Sequence, residues 1–149
     1  MAHRVQHLAG IQLILISAQF LAGMAVNLFV RIPAAHPGAN ASNYFAGALA
    51  GIAWGLLHAS ALLQLHVFLG AVIWLLAIWV VVRVWRLGAR SVVWAAVLGW
   101  TGLTGAGFNG ASFINYGHNL SSFLMAAAML LAAVSYVWLR DAAGTLSAP

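Results

Sequence analysis

Four long apolar stretches, divided by joints that carry arginine, proline, glycine and amides, dominate this chain and decide which solvent it can fold in. They run from about Val5 to Arg31, Leu57 to Val82, Val92 to Phe113 and Asn119 to Leu139. A helix that crosses a hydrocarbon core of roughly 30 Å needs about 20 predominantly apolar residues, and each stretch meets that length. One acidic side chain, Asp141, occurs in 149 residues, and charged residues make up 5% of the chain, whereas a soluble domain carries about a quarter. Length leaves room for a single domain. The expected fold is all-α: an antiparallel four-helix bundle whose outer surface faces the lipid bilayer.

The joints refine this picture. Ile32-Pro33 and Pro37-Gly38 end the first stretch, because proline lacks the amide donor and clashes with the preceding turn. From Ser42 or Asn43, each suited to an N-cap, the helical pattern continues to Val82, which at about 1.5 Å per residue would reach roughly 60 Å, twice the core. The pattern must therefore divide into a short interfacial helix from Tyr44 to Trp54, inside an outer joint covering 32–56, and a true span after it. His3 and Arg4 precede an apolar run with small residues at Ala22 and Gly23. That run continues through Val30, longer than a secretory-signal core, so a retained helix is expected. The segment 144–149 is expected to fray.

Arginine placement sets the orientation. Arg4, Arg83, Arg86, Arg90 and Arg140 fall on one side and Arg31 on the other, so the positive-inside rule puts both termini in the cytoplasm. Trp85, Trp94 and Trp138 lie near the inner ends and Trp54 near the outer end, where amphipathic rings favour the headgroup level.

Several chemistries are excluded by residue type. Without cysteine there are no disulfides, thiolate metal sites or iron–sulfur clusters. Scattered arginines make no basic stripe, so nucleic acid is not an expected partner. Paired carboxylates and serine–histidine–acid arrangements lack their parts.

The remaining polar side chains crowd toward the outer end. Asn27, Gln64, His66, Asn109, Asn115 and Tyr116 form a candidate polar pocket, since polar groups in hydrocarbon are costly and mark function by default. His58 and His118 fall at similar depth on different spans, the arrangement by which two imidazoles hold haem b or another metal, with Arg31 placed to meet propionates. His66 is an alternative ligand. If 57–82 is one helix, it lies about 12 Å deeper than His58 and about 80° around the axis. Its plainer role is a hydrogen bond to Gln19, Asn109 or a backbone carbonyl. Asn119 is a candidate N-cap for the fourth span.

Small residues recur at helical spacing in Gly47, Gly51, Gly55 and Ala59, and in Gly102, Ala106 and Gly110. Such seams allow close backbone approach between helices in lipid. They point first to a non-enzymatic accessory or structural subunit that packs on itself as a homo-oligomer or on a membrane protein partner. A haem b electron carrier is the second reading. A pore or carrier for a small solute or metal ion, lined by the outer amides and imidazoles, is the third.

Gln19-Phe20-Leu21-Ala22-Gly23, Ile32-Pro33, His36-Pro37-Gly38, Asn43-Tyr44-Phe45, His66-Val67-Phe68-Leu69-Gly70 and Ala106-Gly107-Phe108-Asn109-Gly110 together resemble a family of small bacterial four-span membrane proteins with no assigned activity. The resemblance covers most of the chain. It implies an inner-membrane location and four spans, and it adds no reaction. Architecture alone is similar to that of four-helix membrane b-type cytochromes.

Overall fold

The computed structural model describes residues 1–146. Among them are five helices and no strands: α1 (Ala2–Phe29), α2 (Tyr44–Leu57), α3 (Ala61–Trp85), α4 (Arg90–Tyr116) and α5 (Asn119–Thr145). The four long helices are each long and apolar enough to cross a membrane. They form a closed antiparallel ring in which α1 packs on α3 and α5, and α4 packs on α3 and α5, with no close backbone approach across either diagonal. α1 and α4 finish at the same end of the ring, the end expected to face outward.

Large apolar side chains cover the outside of the ring. Ile14, Leu21, Leu28, Phe68, Leu75, Leu130 and Val134 are all exposed, a surface suited to hydrocarbon. The interior is made mostly of small or branched residues. Val5, Ala9, Ile73, Ala77, Val80, Val84, Val92, Ala95, Ala132, Tyr136 and Leu139 are fully buried, most of them in the inner half.

Helix ends follow local chemistry. Asn43 caps α2 by accepting from the Ala46 amide at 3.0 Å, so Asn43 and not Ser42 is the cap. The long helical pattern breaks at His58-Ala59-Ser60, and α3 begins at Ala61. His58 is therefore outside the second span, and its expected angular relation to His66 on one continuous helix does not hold. Gly117, left-handed at φ 66°, ends α4, and His118 occupies the N-cap of α5 with its carbonyl accepting from Ser121. The expected cap, Asn119, is already inside α5. Both α4 and α5 run beyond their expected ends, and the expected fraying from Gly144 is replaced by helix through Thr145. The rest of that tail, 147–149, lies outside the described residues.

The expected glycine seams are used inside the chain. A Cβ at Gly102 would stand 2.7 Å from the Ala128 carbonyl oxygen and 2.8 Å from the Ala132 amide nitrogen, so the α4 and α5 backbones touch there. Gly99 admits the Tyr136 ring, and Gly110 faces the Met125 sulfur. Gly47 and Gly51 receive the outer joint and Asn115, and Gly55 faces Val67. Apart from its terminal Tyr44 and the Trp54 indole, α2 carries no polar side chain. It lies against α3 and α4.

Candidate functional site

The outer end is where polar side chains act in concert. A helix leaves its last carbonyls without partners, and those of α4 are met by the joint that follows α1. His36 Nε2 lies 3.1 Å from the Ile114 carbonyl oxygen, and the Asn40 amide donates to the Asn115 carbonyl at 3.0 Å. The Tyr116 hydroxyl returns a bond to the Ala41 carbonyl at 2.9 Å, and the Tyr44 hydroxyl donates to the Phe108 carbonyl at 2.7 Å. The joint and α2 thus form a cap fastened to the end of α4.

His36 is the hinge of this arrangement. Its other ring nitrogen, Nδ1, lies 3.0 Å from the Pro37 carbonyl oxygen, and its ring stacks on Trp54 with centroids 4.5 Å apart. A neutral imidazole has a single N–H, so either tautomer of His36 donates to one of these two carbonyls.

Gly38 makes the close approach work. At φ +93° its backbone lies on α2, where a side chain would meet the Gly51 amide nitrogen at 2.7 Å. Gly38, Gly47 and Gly51 together enclose the Asn115 side chain, 3% exposed. Both amide atoms of Asn115 are buried without a hydrogen-bond partner. Beside the cap, the rings of Phe108, Tyr44, Tyr116 and His118 stack in turn. Burial, and after it the neighbouring Tyr116 phenol, push the Tyr44 hydroxyl above its ordinary pKa.

Between the cap and the outer ends of α1 and α4 lies a cavity of about 380 Å³. Asn27, His36, Asn40, Asn115 and Tyr116 contribute to its wall, with Val26, Val30 and Phe113 as apolar lining. Of the expected pocket residues, Asn27, Asn115 and Tyr116 are brought together here. Gln64, His66 and Asn109 are not among its lining. Asn109 instead donates to the Gly105 carbonyl one turn back in its own helix, at 2.8 Å. His36 and Asn40 join the site without being among the residues expected there. Their role depends on contact with α4, which local sequence does not display.

His66 belongs to a second polar group, deeper and between α1 and α3. The Gln19 amide nitrogen lies 3.1 Å from the His66 carbonyl oxygen and 3.4 Å from its ring Nε2. Gln12, seven residues before Gln19, donates to the carbonyl of Ile73, seven residues after His66, at 2.9 Å. Seven residues are about two helical turns, so the two glutamines repeat one contact along an antiparallel seam. The Gln12 amide also lies 3.5 Å from the Tyr136 hydroxyl. Gly23 and Gly70 clear the space: a Cβ at Gly23 would stand 3.0 Å from His66 Cε1, and one at Gly70 3.0 Å from Gln19 Nε2.

These placements do not fit haem. His58 and His118 are both exposed at helix termini. The helices flanking His58, α2 and α3, make no contact with α5, whose N-cap is His118. His66 turns its Nε2 to Gln19 and packs its ring on Gly23, and Arg31 is exposed beyond the end of α1. Two imidazoles facing a common interior space, as axial ligation requires, are not assembled by these residues. Among the described residues, no group of three or more histidine or acidic side chains could hold a metal ion. No known protein family, curated protein or solved structure matches this chain.

Proposed function

We propose that this protein is a small, non-enzymatic, multi-pass protein of the bacterial plasma membrane, with both termini in the cytoplasm, that serves as an accessory subunit and presents its capped outer end for recognition. The family resemblance drawn from its sequence is part of the same proposal. One observation carries the reading. Bonds involving His36, Asn40, Tyr44 and Tyr116 hold the whole segment between α1 and α3 against α4. Antiparallel helices in bundles are usually joined by about 2–8 residues. Ordering each further residue costs about 1–2 kcal/mol of backbone entropy. An ordered cap of this size supports a role in presenting a defined surface. Because the glycine seams are occupied within the chain, the proposed contact with a membrane protein partner or a second copy runs through the cap.

The cavity favours a second reading, binding of a small polar solute at the outer face. Its volume lies within the roughly 300–1,000 Å³ usual for small-molecule sites. The packed inner core beneath supports binding in place of a continuous pore.

The test uses a photo-activated cross-linker at Leu49, exposed on α2, and at Leu130, exposed on α5, in native membranes. A discrete adduct from Leu49 and none from Leu130 is expected. An adduct of twice the chain's mass identifies the homo-oligomer. Uncross-linked chain from both positions would remove the accessory reading, and reporter fusions at each terminus test the orientation separately.

A further inference from the structure

At the inner end, residues of α1 and α3 border a groove of about 360 Å³ lined by Met1, Arg4, Val5, Leu8, Trp79 and Arg83. Two arginines share this groove and no carboxylate lines it. Arg83 lies over the Trp79 ring, its guanidinium carbon 4.8 Å from the ring centroid. That contact directs the planar donor fork while leaving its N–H groups available. Asp141, the chain's one acid, is exposed on α5, which packs on α1 but not on α3, and it is not among the residues lining the groove.

We propose that this groove binds the phosphate of an anionic phospholipid, with Arg4 and Arg83 holding the headgroup. Guanidinium matches phosphate oxygens in a bidentate geometry and is less strongly hydrated than ammonium. Two guanidiniums in one groove repel each other until an anion lies between them. The N-terminal end of α1, which has no side-chain cap, adds the positive end of its helix dipole. The remaining lining selects the source of the phosphate. Leu8 and Trp79, with buried Val5 behind them, give the groove an apolar wall suited to acyl chain and not to a free ion. Trp79, 42% exposed, presents its ring there. The inference rests on the chain being a membrane protein. It is independent of the role of the outer cap.

Native mass spectrometry of the detergent-solubilised full chain, titrated with phosphatidylglycerol or phosphatidylcholine, tests the site. Solubility without detergent would refute the membrane reading before any lipid is added. One phosphatidylglycerol should bind at least about tenfold more tightly than phosphatidylcholine, and Arg4→Gln/Arg83→Gln should remove that preference. Arg86→Gln/Arg90→Gln subtracts the same charge nearby and should leave the preference within about a factor of two, because exposed charges away from the anion are screened. Equal loss in both double variants would overturn the site in favour of diffuse surface charge. Equal retention of the two lipids would overturn its preference for anionic headgroups. Displacement of phosphatidylglycerol by inorganic phosphate at matched concentration would overturn the lipid as ligand.

Discussion

Gln19 grips His66 at two points, the backbone carbonyl at 3.1 Å and the ring Nε2 at 3.4 Å, from a neighbouring helix. Hydrogen bonds between membrane helices contribute about 0.6 kcal/mol on average and up to roughly 1.7. Gln19→Leu should therefore destabilise the bundle by about 1 kcal/mol, read as a shift in the denaturant midpoint of the purified protein. Gly23→Ala should displace the His66 ring, since the new methyl would stand 3.0 Å from Cε1. An unshifted His66 resonance in Gly23→Ala would show that the ring is not held as described.

Glycine substitutions should divide sharply by position. Gly102→Ala forces apart two backbones already in contact, and overpacking of this kind typically costs about 1–3 kcal/mol. Gly107 has nothing within 4 Å of an added Cβ, so Gly107→Ala should stabilise α4 by about 0.5–1 kcal/mol through helix propensity. Thermal unfolding of the two variants checks the contrast.

The cap should loosen without the bundle. His36→Ala removes the contact to the Ile114 carbonyl and the stack on Trp54. The expected result is faster amide exchange over 36–47, with α1, α3 and α5 unchanged. Uniform acceleration across all helices would mean that the cap is no separate unit.

Alkaline pH should act on Tyr44. Its hydroxyl donates to the Phe108 carbonyl, and its pKa in the folded chain is raised. The bond's contribution, of order 0.5–1.5 kcal/mol, is complete below the ordinary tyrosine value near 10 and is lost as pH rises through the raised value. The difference in phenolate absorbance between the protein and Tyr44→Phe should isolate one phenol that titrates above the ordinary tyrosine value.

His58→Ala and His118→Ala should each change stability by less than about 0.5 kcal/mol, as exposed substitutions usually do. A haem absorption band in purified protein that vanished in both variants would overturn the placement of these histidines.

The four spans were legible because apolar length is a local property, and arginine marked their ends. The division near His58 followed from helix rise against bilayer thickness, although the break falls later than Trp54 because residues 55–57 are apolar and continue the helix. The matched depth of His58 and His118 did not reveal their exposure. Both occupy helix termini, where periodicity no longer tells which way a side chain points. Gln19 was one of three partners considered for His66, and only packing selects among them. The bonds of His36 and Asn40 to α4 join residues more than seventy positions apart, so no local pattern announces them.

The largely apolar surface of α2 bears on the surrounding lipid. Its 14 residues rise about 21 Å, short of a hydrocarbon core of roughly 30 Å. Around most of the bundle, acyl chains meet full-height walls. On the flank where α2 leans against α3 and α4, they meet a hydrophobic step instead. A bilayer accommodates such a step by thinning or tilting at modest energy per ångström, which makes acyl-chain length a variable to which this side of the molecule responds.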